Sequence, residues 1–184
     1  MSIYAHAQTA KKALLVIDLQ ENLLNPGSRM HVDSSSIEPL CSHVNQMIKQ
    51  YHQNGWPVLY VVNEWTNPIL NWVTGNVVKK GAKGTGIDPR INRVNQTIYT
   101  KSAGDALSNK DLLDFLKALG IQELTLTGIF SNACIKETVK SGLKKGFQVT
   151  VIEDAVGARN AKSQQHSLQY FRKKGAVVSR SSLI

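Results

Sequence analysis

The sequence is poor in cysteine and has no long apolar run. Its 184 residues contain only two cysteines, Cys41 and Cys134, which excludes a disulfide-stapled secreted scaffold and fits a reducing compartment. No apolar stretch reaches the roughly 20 residues that a transmembrane helix needs. The first residues also lack the apolar centre of a secretory signal peptide. These absences predict a cytoplasmic protein with no membrane partner.

Acidic side chains are scarce as well. There are 13 Asp and Glu residues against 22 Lys and Arg residues, which gives a net charge of +9. Such a charge is compatible with nucleic-acid binding. The basic residues are scattered, however, with small clusters at 79–80, 144–145 and 172–174. We therefore predict no nucleic-acid partner and interpret the positive surface as able to attract an anionic substrate.

Segments typical of strands alternate with segments typical of helices. Strands are predicted at 13–18, 57–63, 97–100, 123–127, 148–152 and 176–179, and helices at 36–53, after a capping box at 108–111, from 134 onward, and at 160–174. The alternation predicts one α/β domain over residues 1–184, a Rossmann-like three-layer sandwich with a six-stranded parallel sheet. The expected strand order is 3-2-1-4-5-6, which places a ligand crevice between strands one and four.

A long segment at 64–95 is rich in glycine and proline and is predicted to be a loop. Loops of this length in compact domains are usually functional. Within it, Gly81–Gly86 lacks the G-x-x-x-x-G-K-[ST] pattern of a phosphate-binding loop and does not directly follow a clear strand. We interpret it as a mobile loop.

Cys134 follows a predicted strand, which Gly128 is expected to end, and lies at the expected start of a helix. There the helix dipole and the unpaired N–H groups favour a thiolate and can hold an oxyanion. The alternative is that Cys134 is a small buried hydrophobic residue. A Cys–His dyad through His166 is a further alternative, which no motif supports.

Two charged residues close other predicted strands. Asp18 follows the apolar run of strand one, and Lys101 follows strand three. Taken alone, Asp18 can be interpreted as a turn or N-cap residue, and Lys101 as an ordinary exposed lysine. With Cys134, however, they supply a nucleophile, a base and a cation at one edge of one sheet.

The sequence resembles the isochorismatase-like cysteine hydrolases. The matching stretches are Leu14–Gln20, Tyr99–Ala103, Thr127–Ile135 and Val151–Ala155. The resemblance extends from about residue 12 to about residue 179. The family includes nicotinamidases, N-carbamoylsarcosine amidase, ureidoacrylate hydrolases and isochorismatase.

The resemblance implies a set of site residues. The family's catalytic triad falls on Asp18, Lys101 and Cys134, so Lys101 has to lean across strand two. Its cis peptide bond falls between Ile129 and Phe130, and its oxyanion hole on the N–H groups of Phe130 and Cys134. Beside the helix N-terminus and Lys101, the thiol pKa is expected to be depressed, although Asp18 opposes this. The family also implies a homo-oligomer, a dimer or tetramer.

The metal ligands of the nicotinamidases are missing. In those relatives an Asp-x-His pair just after strand two holds the metal. Here the segment is Asn63-Glu64-Trp65, and neither an amide nor an indole is a good divalent ligand. We therefore predict no metal, no cofactor and poor nicotinamide hydrolysis.

The substrate is expected to be a small molecule. Leu23, Trp65 and Phe130 are predicted to give the pocket an aromatic and apolar wall, although Trp65 also suits the core or a subunit contact. This wall fits a small amide, ureido or carbamoyl compound. The predicted function is hydrolysis of its C–N bond through a Cys134 thioester. Two alternatives remain: vinyl-ether cleavage of an anionic substrate with Asp18 as general acid, as in isochorismatase, and a non-catalytic family member.

Overall fold

The computed structural model describes residues 12–184. The chain start, where the sequence predicts no signal peptide, lies outside the described residues. The strands are β1 Lys12–Ile17, β2 Val58–Asn63, β3 Ile98–Lys101, β4 Glu123–Ile129, β5 Gln148–Gly157 and β6 Val177–Ser179. The helices are α1 Ile37–Gln53, α2 Pro68–Thr74, α3 Lys110–Ala118, α4 Lys136–Lys144 and α5 Ala161–Lys173. Over residues 12–184, none of the helices is long and apolar enough to span a membrane.

The six strands form one parallel sheet in the order β3-β2-β1-β4-β5-β6. This confirms the predicted fold and strand order. β1 is central: Ile17 lies opposite Val61 of β2 on one side and Gly128 of β4 on the other. Because parallel strands all end at the same edge, the residues that follow β1, β3 and β4 are brought toward one another.

Apolar residues cover both faces of the sheet, which explains the near-continuous apolar strands. From β1, Leu14 and Val16 pack into a core that includes much of α1. The alternate residues Leu15 and Ile17 pack into a second core with residues of α3, α4 and α5. The sheet therefore lies between two helical layers, as the three-layer sandwich requires.

β4 and β5 both extend beyond their predicted ends. The expectation that Gly128 ends β4 is wrong, because β4 continues to Ile129 and pairs with β5 through Gly128 and Val156 and through Ile129 and Gly157. Gly128 has a φ of 112°, and the β4–β5 register shifts between Leu126 and Gly128. Glycine therefore bends this strand rather than terminating it.

Two predicted helix starts also differ. One π-helical turn, Ser131–Ile135, precedes α4, so Cys134 lies in that turn and not on the first residue of an α-helix. The prediction of a capping box at 108–111 is wrong. The cap of α3 is Asn109, whose Oδ1 accepts a hydrogen bond from the N–H of Leu112 at 2.8 Å.

The segment 64–95 is not entirely a loop, because it contains α2. The side chain of Asn67 accepts hydrogen bonds from the N–H groups of Ile69 and Leu70, and Gly75 ends the helix in the left-handed conformation. These are ordinary capping signals. The short length of α2 hid them within a segment rich in glycine and proline.

Replacing Gly128 by alanine should destabilise the fold severely. A Cβ on this residue would overlap the backbone carbonyl of Ile17 in the neighbouring strand, so we expect a loss of more than about 3 kcal/mol in the free energy of unfolding. Gly120→Ala is the matched control: its φ is also positive, at 66°, but its Cβ would meet no atom within 4 Å. It should cost only about 1–2 kcal/mol, the cost of an L-residue in the left-handed region. Denaturant unfolding measures both, and equal losses would contradict the steric argument.

Candidate active site

Asp18, Lys101 and Cys134 meet at the carboxyl edge of the sheet. Asp18 directly follows β1, Lys101 is the last residue of β3, and Cys134 lies in the π-helical turn after β4. The Lys101 Nζ atom is 2.8 Å from Asp18 Oδ2 and 3.3 Å from Cys134 Sγ. The structure therefore brings together the three residues that the resemblance assigned to one site.

The Lys101 ammonium is bound on three sides. Besides Asp18 and Cys134, it donates to the backbone oxygen of Ala103 at 3.1 Å. A lysine has three N–H donors, so these partners match its full capacity. Its side chain is 0% exposed and that of Asp18 is 2% exposed. The ammonium is therefore fixed in position and shielded from water.

The backbone of Asp18 has an unusual conformation. Its φ is 58°, in the left-handed region, which aspartate tolerates better than most residues. Its N–H donates to the backbone oxygen of Val61 at 2.8 Å, which anchors it to β2. Asp18 Oδ1 is buried and has no hydrogen-bond partner among the described residues. One carboxylate oxygen thus binds Lys101, and the other remains able to accept a proton.

Burial and charge set the protonation of the three groups. Burial raises the pKa of the Asp18 carboxyl above its ordinary value. The Lys101 ammonium lowers this pKa, but its effect is smaller than that of burial. Burial also disfavours the charged form of Lys101, but its interactions with Asp18 and Cys134 outweigh burial and raise the pKa of its ammonium. For the Cys134 thiol, burial and then the charge of Asp18 raise the pKa to about 12.

The expectation of a depressed Cys134 pKa is therefore wrong. The loss of water and the nearby Asp18 charge together outweigh the Lys101 ammonium, which favours the thiolate. Because a buried site resists an unpaired charge, the resting state that fits is one ammonium, one carboxylate and one neutral thiol. A neutral Cys134 thiol would need a base in order to act as a nucleophile, and the Asp18 carboxylate is beside it.

A cavity of about 340 Å³ opens beside these groups. Its lining consists of Asp18, Leu23, Met30, Asn63, Trp65, Leu70, Val78, Ser102, Ala103, Gly104, Phe130, Ala133 and Cys134. The three predicted substrate contacts, Leu23, Trp65 and Phe130, all belong to this lining. Most of the remaining wall is also apolar, so the cavity fits a small uncharged compound better than a highly polar one.

Phe130 and Cys134 border a sharply folded stretch of backbone. The peptide bond between Ile129 and Phe130 is cis. The Phe130 carbonyl accepts hydrogen bonds from the N–H groups of Ala133 at 3.0 Å and Ile135 at 3.2 Å. This carbonyl therefore points toward the π-helical turn that contains Cys134. Turns of this kind are frequent at functional sites.

The residues at the end of β2 do not fit a metal ion. Asn63, the last residue of β2, and Trp65 line the cavity, and neither an amide nor an indole is a good divalent ligand. Over residues 12–184, no three His, Cys, Asp or Glu side chains are grouped as a metal site would require. The described residues at this cavity therefore do not suit a bound divalent metal ion.

Sequence reasoning missed several cavity residues. Met30, Leu70 and Val78 lie in long loops or in α2, and only tertiary packing brings them to the wall. Gln20, which belongs to the matched stretch Leu14–Gln20, has a structural role that the sequence did not reveal. Its side-chain amide donates to the backbone oxygens of Asn63 at 3.1 Å and Thr85 at 2.6 Å, and so connects β2 to the segment after α2.

His166 is not among the cavity residues. It lines a separate surface depression with Lys136, Ser163 and Tyr170. The alternative of a Cys–His dyad therefore finds no geometric support. The titratable neighbours that act on Cys134 are Asp18 and Lys101.

The chain belongs to the isochorismatase family. The family model described as "Isochorismatase domain" matches residues 12–182, nearly the whole chain. The fold and the family together define the chain as an isochorismatase-like hydrolase.

Three relatives illustrate the similarity. The ureidoacrylate amidohydrolase RutB of Stutzerimonas stutzeri is 23% identical, with 89% of this chain and 76% of the relative covered. The nicotinamidase PncA of Bacillus subtilis has a TM-score of 0.80 at 21% identity, covering 92% of this chain and 99% of that one. A cysteine hydrolase of Pseudomonas syringae pv. phaseolicola 1448A has a TM-score of 0.85 at 15% identity, covering 100% and 92%.

Alkylation of Cys134 should rise at unusually high pH. Because the thiol pKa is raised to about 12, the iodoacetamide rate should keep increasing well above pH ~8.5, the ordinary thiol pKa. Asp18→Asn removes a charge that raises this pKa and should shift the profile to lower pH. Lys101→Met removes a charge that lowers it and should shift the profile to higher pH. Mass spectrometry separates Cys134 from Cys41, and a wild-type plateau below pH ~8 would contradict the argument.

Proposed function

We propose that this chain hydrolyses the C–N bond of a small amide, ureido or carbamoyl compound through a Cys134 thioester. The observation that supports it is the Lys101 Nζ atom held between Asp18 Oδ2 and Cys134 Sγ, at 2.8 and 3.3 Å. These groups lie at a cavity large enough for a small substrate. A relative named as an amidohydrolase and a structural neighbour named as a nicotinamidase support the same class of bond.

The first step is attack on the substrate carbonyl. Asp18 takes the proton of the Cys134 thiol as its sulfur bonds to the carbonyl carbon, and the C=O electron pair moves onto oxygen. The N–H groups of Phe130 and Cys134 are proposed to hold that oxyanion. Lys101 stays charged and bound to Asp18, so the buried site keeps its counter-ion as negative charge moves to the substrate.

The second step releases the amine. The oxyanion reforms the carbonyl, the C–N bond breaks, and the proton on Asp18 goes to the departing nitrogen. Asp18 is again a carboxylate, and the acyl group is a thioester on Cys134. The base of the first step thus becomes the acid of the second.

The third step consumes one water. Asp18 takes a proton from the water as its oxygen adds to the thioester carbonyl. When this second oxyanion collapses, the C–S bond breaks and the sulfur recovers the proton from Asp18. The products are one amine and one carboxylic or carbamic acid, and the enzyme returns to its starting state.

Cys134→Ala should abolish turnover, with a fall in kcat of at least about 10³-fold, because no other group supplies the nucleophile. The matched control is Cys41→Ala, since Cys41 is buried in α1 and is not a cavity residue. Steady-state assay of the two variants makes the comparison. Near-full activity of Cys134→Ala would contradict the thioester route.

A substrate panel should separate this chemistry from vinyl-ether cleavage. Small amides, ureidoacrylate, nicotinamide and isochorismate would be assayed with and without EDTA. We expect amide or ureido cleavage that is insensitive to the chelator, with an acyl adduct on Cys134 detected by mass spectrometry.

The other outcomes of the panel are equally specific. Isochorismate turnover that survives Cys134→Ala would identify general-acid chemistry at Asp18 instead. Chelator-sensitive nicotinamide hydrolysis would contradict the absence of a metal role. The absence of turnover and of any acyl adduct across the panel would contradict the thioester route for these compounds and favour the non-catalytic alternative.

A further inference from the structure

The hydroxyl of Thr138, in α4, makes two hydrogen bonds close to the nucleophile. The Thr138 side chain is buried. Its Oγ1 donates to the carbonyl oxygen of Cys134 at 2.8 Å and accepts from the N–H of Ala106 at 3.0 Å. A hydroxyl has a single donor hydrogen, and the Cys134 carbonyl accepts it. Thr138 therefore joins the turn that contains Cys134 to the segment that follows β3.

The segment that follows β3 also binds the ammonium of Lys101. Residues 102–105 connect β3 to a short helical turn, Ala106–Ser108. Within this 102–105 connection, the carbonyl oxygen of Ala103 accepts a hydrogen bond from Lys101 Nζ at 3.1 Å. Because the connection is short, the place at which Ala106 is held determines where the Ala103 carbonyl lies.

These hydrogen bonds form a closed circuit around the site. Cys134 Sγ contacts Lys101 Nζ at 3.3 Å, and the same ammonium donates to the Ala103 carbonyl. From Ala106 the circuit returns through the Thr138 hydroxyl to the carbonyl of Cys134. Since the circuit begins and ends at one residue, the distance between the ammonium and the sulfur depends on each contact within it.

Only one of the two Thr138 contacts is an ordinary feature of helices. Threonine hydroxyls in helices often bond the carbonyl four residues earlier, as Thr138 does with Cys134. Ala106, however, is 32 residues away along the chain, and its N–H is buried with Thr138. Without the hydroxyl, this N–H would lose its partner in a buried setting, which is costly. The 102–105 connection would then shift.

We propose that Thr138 is a positioning residue that holds the Lys101 ammonium against Cys134 through the 102–105 connection. Thr138 is not a cavity residue, so its effect on the chemistry passes through Lys101. This inference rests on the proposed hydrolysis, in which Lys101 stays bound to Asp18 while the proton moves. A connection free to shift would let the ammonium leave that position.

The experiment compares rates of Cys134 alkylation by iodoacetamide at one alkaline pH below the thiol pKa of about 12. Asp18 raises this pKa and Lys101 lowers it, so a displaced ammonium leaves less thiolate. Thr138→Val removes the hydroxyl at similar volume. It should slow alkylation about threefold or more, which corresponds to a rise of about 0.5 in the thiol pKa. Mass spectrometry separates Cys134 from Cys41.

Three further variants separate positioning from folding, and thermal melts check that each folds. Thr138→Ser keeps the hydroxyl and should retain the wild-type rate. Thr138→Ala removes the hydroxyl without placing a methyl group against the Ala106 N–H, and replaces the valine variant if that variant does not fold. Thr127→Val is the matched control, because Thr127 is also buried and its hydroxyl donates to the backbone oxygen of Leu15 at 3.2 Å. Its rate should equal that of wild type.

A double variant tests whether Thr138 acts through Lys101. Lys101→Met alone should slow alkylation. Adding Thr138→Val should then cause no further slowing, because the ammonium that Thr138 positions is already absent. Two effects that multiply would instead be independent and would overturn the positioning role.

The remaining outcomes are equally decisive. Faster alkylation of Thr138→Val would indicate a loosened turn with better access to Cys134 and would overturn the inference, as would slow alkylation of Thr138→Ser or equal slowing in Thr127→Val. Because alkylation needs no turnover, the result does not depend on whether an acyl adduct forms. An acyl adduct together with an unchanged Thr138→Val rate would leave the thioester route standing and remove only this inference.

Discussion

The arrangement of the site depends on the contacts that the buried Lys101 ammonium makes with Asp18 and Cys134. Lys101 is the last residue of β3. Its ammonium contacts Asp18, which follows β1, and Cys134, which lies in the turn after β4. Removing it would leave a buried carboxylate without a counter-charge, which is costly in a site shielded from water. The same contact that fixes the position of the groups therefore fixes their charges.

That charge balance explains why the site needs a base. Helix N-termini and cations often lower the pKa of catalytic cysteines, but here burial and Asp18 raise the Cys134 pKa instead. A neutral thiol beside a carboxylate keeps the number of buried charges small until substrate arrives. In the proposed cycle the proton moves from Cys134 to the neighbouring Asp18, and the Lys101 ammonium stays bound to that carboxyl group.

The cavity beside Asp18 and Cys134 has an amide, Asn63, and an indole ring, Trp65, in its wall. Neither side chain is a good ligand for a divalent cation. Assembly of the chain into a dimer or tetramer stays a prediction.

The sequence alone determined the alternation of strands and helices and the charged residues that close the strands, because apolar runs and the Asp18, Lys101 and Cys134 motifs are local patterns. The strand order was expected from the general rule for such folds, and the approach of Lys101 to Asp18 and Cys134 was implied by the family resemblance. The sequence did not determine the length of β4 or the presence of α2, because bends and short helices depend on neighbouring elements. Only the tertiary structure decided the Cys134 pKa and the contact between Thr138 and Ala106. Both depend on which atoms surround a group after water is removed, and local patterns do not contain that information.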